Sequence, residues 1–284
     1  MRTIILFLLI LTSSCSITKY QEKGETNPTS FHEKIPFKTI KSIVLLPVLI
    51  DGKPRNMLFD TGSQLNLIQR EQLKGKTYGV DGASNRKAKM GSEITASIKI
   101  GGVEFTNTAA WNGDMKGLKE QIPDFGGLIG QSIINKANWK IDYPNKQMEI
   151  FNGSFSEEGF QTIDIIREEG VPYIMLTVEG IQYKTIVDLG SSSNGINVPS
   201  DHPLAKVLLE KYSFVENKRE IYTIGGNQMV TEQVGTINSV AIGDINFKNV
   251  AVDIRSSSQL RVGMHFFKDK ILIIDNLKDD YFVK

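Results

Sequence analysis

The chain has 284 residues, 40% of them hydrophobic and 23% charged, a balance that excludes disordered and fibrous proteins. Its 33 Lys and Arg against 32 Asp and Glu give a formal net charge of +1 with no dense basic cluster, so nucleic acid is not an expected partner. A single cysteine, Cys15, and three scattered histidines, His32, His202 and His265, exclude an internal disulfide and a cysteine-based zinc site. No metal or cofactor is expected.

At the N-terminus Arg2 precedes an apolar run at 4–11 and the small residues Thr12, Ser13 and Ser14. The run is shorter than the roughly 20 residues that span a bilayer, so residues 1–14 are predicted to be a secretory signal. Cys15 then resembles the acylated first residue of a bacterial lipoprotein, although Thr12 stands where that family more often has Leu. The resemblance implies an exported protein, membrane-anchored in the bacterial cell envelope through lipid on Cys15. Residues 15–40 are polar with little periodicity and read as a tether.

Beyond the tether, short runs rich in β-branched and aromatic residues at 42–50, 96–100, 148–151, 174–178, 271–274 and 281–283 predict strands punctuated by Gly, Asn and Asp. Short helices are predicted at 66–73, 131–137 and 203–212. The expected class is all-β.

Three features recur in the same order. Gly52 followed eight positions later by Asp60-Thr61-Gly62-Ser63 is answered by Gly180 and Asp188-Leu189-Gly190-Ser191. A hairpin at 100–105 is answered by one at 242–247. Leu128-Ile129-Gly130 is answered by Arg261-Val262-Gly263. The repeat predicts two copies of one small β unit, at 41–155 and 160–284, whose equivalent positions would meet at a cleft.

A carboxylate at the end of an apolar strand is poorly solvated, and a glycine two positions on lets backbone N–H groups approach it. If the copies face each other, Asp60 and Asp188 form a close pair that cannot both ionise. Such a pair can hold a water between an acid and a base and attack a peptide carbonyl without metal or covalent intermediate.

Asp60-Thr61-Gly62-Ser63, the Gly turn before it and the Leu-Ile-Gly and Ile-Asp-Tyr segments after it closely resemble retropepsin-like aspartic proteases. The resemblance covers nearly all of 42–284. It implies a bilobal acid-protease fold of two pseudo-symmetric retropepsin-like β-barrel lobes in one monomeric chain, acting on a peptide or protein substrate. Asp60 and Asp188 would be the catalytic dyad, Gly62 and Gly190 the glycines lying against it, and Ser63 and Ser191 hydroxyl donors to the outer carboxylate oxygens. Gly130 and Gly263 would sit structurally beneath the two loops, and 74–97 and 222–236 fall where the family carries flaps, with Gly82 and Gly225-Gly226 as their turns. The family usually has Thr or Ser after each Asp, bonding across to the other lobe. Thr61 fits this pattern and Leu189 does not, so a catalytically impaired, peptide-binding pseudo-protease is the alternative. A carbohydrate-binding β-sandwich, with Trp111 or Trp139 as stacking platform, is disfavoured by the repeat.

Overall fold

The computed structural model describes residues 17–82 and 87–284; the signal segment, Cys15 and the tip of the first candidate flap at 83–86 lie outside them. The chain is mainly β. In the first half, strands β1 (Ile43–Ile50), β2 (Lys53–Phe59), β3 (Asn66–Gln69), β4 (Lys87–Ile100), β5 (Val103–Gly113) and β6 (Phe125–Ile129) close a ring in the order β1-β2-β6-β3-β5-β4 and back to β1. The pairs β2–β6 and β3–β5 are parallel and the other four antiparallel.

The second half repeats this arrangement with β7 (Val171–Val178), β8 (Ile181–Val187), β9 (Ile196–Pro199), β10 (Gly226–Ile242), β11 (Ile245–Arg255) and β12 (Arg261–Val262). The ring runs β7-β8-β12-β9-β11-β10 and back to β7, with β8–β12 and β9–β11 parallel. Both opening hairpins use a two-residue turn in the left-handed region, Asp51-Gly52 (φ 49° and 76°) and Glu179-Gly180 (φ 52° and 78°). Glycine adopts this conformation freely, and the turn's twist matches that of the flanking strands.

Alternation along the strands sorts side chains into two apolar layers. Val44, Leu46, Met57, Phe59, Ile68 and Ile129 enter the main core, while Leu45, Leu58, Leu67 and Leu128 enter a second cluster with Met115 and Ile122. The segment predicted as a helix at 66–73 is therefore a strand over Asn66–Gln69: Leu67 and Ile68 are both buried, one on each side of the sheet, and such a run mimics a helix face in sequence. Helices form as expected at Gln131–Ile134 and Pro203–Lys211.

A third, antiparallel sheet of six strands joins the halves, with Ile271–Asp275 pairing with Asn138–Asp142 at its centre. Trp139 in this sheet is fully buried, donates from Nε1 to Ile134 O and meets Phe59 edge-on at 5.0 Å, which ties the sheet to the strand that delivers Asp60. The stretch read as a tether is part of the body from its first described residues: 17–21 is helical, and buried Gln21 donates from Nε2 to Gln64 O and Glu169 O. Glu25–Asn27 pairs with β5, His32–Pro36 with Gln147–Phe151, and Lys38–Ile40 with β1. These segments bury one side only, through Phe31, Ile35 and Phe37, and so look polar in sequence.

Candidate active site

Each aspartate stands just past the end of a strand whose parallel neighbour holds its backbone. Asp60 N–H donates to Ile129 O (3.0 Å) and Asp188 N–H to Val262 O (2.9 Å). The chain then turns back, with Ser63 N–H on Asp60 O and Ser191 N–H on Asp188 O. The two turns meet face to face. A Cβ on Gly62 would lie 2.9 Å from Asp188 Oδ1, and one on Gly190 would lie 2.7 Å from Asp60 Oδ1, so each glycine is seated against the opposite carboxylate. Any side chain there would displace the acid.

The Asp60 and Asp188 carboxyls face each other where the two loops meet, and Asp60 Oδ1 accepts from Gly62 N–H at 2.9 Å. Asp188 is buried, whereas Asp60 keeps a partly exposed edge. Burial, followed by the negative charge of Asp188, pushes the Asp60 carboxyl well above the usual carboxylate range, against the Gly62 N–H, which favours ionisation.

The hydroxyl of Thr61 crosses to the other loop, donating to Val187 O (2.5 Å) and accepting from Leu189 N–H (3.0 Å). Leu189 has no group to return such a bond; its side chain is fully buried in the main core instead. Gln131 Nε2 donates to Thr61 O and steadies the first loop from below. The serines depart from their implied role. Ser63 Oγ donates to Leu65 O (2.7 Å) and Ser191 Oγ accepts from Ser193 N–H (3.4 Å), so each hydroxyl closes its own loop and neither reaches an aspartate. Gly130 and Gly263 lie beneath the loops as expected: a Cβ on either would come 2.8 Å from the backbone oxygen of Ser63 or Ser191 respectively.

Arg261 is the residue that the sequence did not mark as a site residue. Its Nη1 lies 2.6 Å from Asp188 Oδ2, with both side chains more than nine-tenths buried, and its Nη2 donates to Ser258 Oγ. The available signal was an arginine at the repeat position that Leu128 holds in the first half. Behind it Arg255 Nε stands 3.6 Å from Asp253 Oδ2 and 4.0 Å from Glu232 Oε2, and Arg219 Nε donates to Glu232 Oε1. Burial raises the Asp253 carboxyl, opposed chiefly by the charge of Arg255.

Strands Phe214–Thr223 and β10 form a long hairpin that turns at Ile224-Gly225, with Thr223 opposite Gly226. Its tip reaches the first half: Ile224 packs on the Met115–Ile122 cluster, Asn227 sits against Gly117, and Lys41 Nζ lies 4.3 Å above the Tyr222 ring. The first candidate flap is a hairpin of Thr77–Asp81 on Lys87–Gly91. Trp111 packs against Tyr78 at 5.1 Å, and buried Trp139 offers no stacking face. Two surface depressions lie away from the aspartates, one beside Arg55 and Arg70, the other beside His265 and Phe266. The sequence matches no protein-family model, and no curated protein matches it.

Proposed function

We propose that the protein is a retropepsin-like aspartic endopeptidase whose two strand rings are pseudo-symmetric lobes of one monomeric active unit. The observation that carries this reading is the reciprocal seating of Gly62 on Asp188 and Gly190 on Asp60, which brings the two carboxyls together where the loops meet. Two like-charged acids at that separation share one proton near moderate pH. The ionised member takes a proton from a water while that water's oxygen bonds to the peptide carbonyl carbon, and the neutral member gives its proton to the carbonyl oxygen. When the tetrahedral diol collapses, the C–N bond breaks. The amide nitrogen then takes up the proton gained from water, and a diol hydroxyl returns one to the other acid. The hairpin from the second half, with its tip on the first, suits a cover that excludes bulk water.

Lipid on Cys15 would anchor this body outside the cytoplasm. Because Gln21, six residues after Cys15, is buried and bonded to Gln64 and Glu169, such an anchor would hold the body close to the membrane surface. Loss of fatty-acid labelling in Cys15→Ser is the expected result.

The functional test is cleavage of a peptide library between pH 3 and 7 by wild type, Asp60→Asn and Asp188→Asn. Cleavage by wild type that both variants lose supports the reading, and cleavage surviving in either variant contradicts it. A peptide-binding pseudo-protease is the second reading, favoured by Leu189 and by the guanidinium on Asp188; it predicts peptide binding without cleavage.

A further inference from the structure

We infer that Arg261 decides where the shared proton of the pair resides, holding Asp188 as the ionised carboxylate and leaving Asp60 as the neutral acid. The inference rests on the paired-carboxyl geometry of the proposed function and assigns its two roles: Asp188 as the proton acceptor for water, Asp60 as the donor to the carbonyl oxygen.

The two aspartates occupy equivalent positions, have their backbone N–H groups held by equivalent neighbours and face mirrored glycines, so the backbone alone gives neither of them the charge. Their ionic surroundings differ. Asp188 has a guanidinium nitrogen 2.6 Å from Oδ2, with both side chains more than nine-tenths buried, where an opposite charge favours the ionised form far more than it does at a surface. On the side of Asp60 the equivalent residue is Leu128, packed among Leu45, Leu58, Leu67, Met115 and Ile122. Among the described residues the Asp60 side chain takes a hydrogen bond from Gly62 N–H and faces Asp188. A carboxyl in that setting stays neutral most cheaply by keeping the proton.

The groups facing Arg261 and Asp188 reinforce the asymmetry. Asp60 comes from the opposite loop and Arg255 from β11; behind Arg255 stand Asp253 on the same strand, Glu232 on β10 and Arg219 on the hairpin. Asp253 and Glu232 are engaged with Arg255, Arg219, Asn197 and Asn217, which leaves Asp188 as the carboxylate bonded to Arg261. Arg261 touches Asp188 rather than any substrate-facing surface, being 4% exposed, and is therefore a positioning residue.

Two measurements on the full chain test this. In carboxyl carbon-13 NMR of aspartate-labelled protein, with Asp60→Asn and Asp188→Asn used for assignment, Asp188 should carry the ionised shift at a pH where Asp60 still carries the neutral one. The reverse order overturns the inference, and this readout does not depend on turnover. In the pH profile of kcat/KM, Arg261→Met should move the acidic limb upward by roughly 1 to 3 pH units, and Arg261→Lys by less, since removing the cation makes Asp188 harder to ionise. An unmoved limb, or Arg261→Met faster than wild type at every pH, overturns it by showing a structural residue or a brake. If Arg261→Met fails to fold, Arg261→Lys and the wild-type NMR order decide. Absence of cleavage by wild type would sink the proposed activity while leaving the NMR order to judge Arg261.

Discussion

Leu128 and Arg261 stand at the same place in the two strand rings, two residues before the glycine that underlies each aspartate loop, and their surroundings are opposite. Leu128 lies among Leu45, Leu58, Leu67, Met115 and Ile122. Arg261 lies among Asp188, Ser258 and the Arg255 network. Both rings pair their strands through backbone groups in the same order and sense, so the scaffold leaves these side chains free to diverge. One half supplies an apolar wall, and the other supplies a fixed charge. The cross-loop bond is divided in the same way: Thr61 makes it and Leu189 fills core space instead.

Substitutions in both halves should break or sharpen this contrast. The largest effect is expected from Leu128→Arg, which overpacks the apolar cluster with a desolvated guanidinium and should destabilise the fold by about 3 to 5 kcal/mol in denaturant titration. Arg261→Leu removes the partner of the buried Asp188 carboxyl and should cost about 3 kcal/mol in the same assay. Next are the glycines: alanine at Gly190 or Gly62 overpacks the meeting point of the loops, at about 1 to 3 kcal/mol by the same assay, with Gly190→Ala worse because its contact is closer.

Thr61→Val leaves the buried Leu189 N–H without its acceptor and should cost about 1 to 3 kcal/mol. Leu189→Thr should lower rather than raise the melting temperature, since it removes a fully buried apolar side chain before any new bond forms. The smallest effect concerns pH. The Asp60 carboxyl is raised above 3.8, so the stability it contributes is present below that value and is lost as pH rises through its folded value. The stability of Asp60→Asn relative to wild type should therefore improve as pH climbs above about 4, measured by thermal melts across pH.

The mirrored Asp-x-Gly-Ser loops, the Gly turns before them and the hairpins at 100–105 and 242–247 were legible because turn chemistry and fixed spacing are local properties. What failed was set by tertiary context. Strand β3 looked helical because it is buried on both sides, and the strands of 25–40 looked like a tether because they bury one side only. Ser63 and Ser191 bond within their own loops rather than to the carboxylates, since a short side chain meets its own loop's backbone before it can reach a carboxylate. Arg261 was visible as a break in the repeat, but its partner lies 73 residues away in sequence and emerges only when the parallel pair β8–β12 forms.

The central claim is that Asp60 and Asp188 act as one unit, and the most direct measurement is calorimetric titration with a statine-type peptide, whose hydroxyl mimics the attacking water. The account predicts one inhibitor per chain and a loss of roughly 100-fold in affinity, about 2.7 kcal/mol, in Asp60→Asn and Asp188→Asn alike. Unchanged affinity in either variant, or one inhibitor shared by two chains, would contradict it.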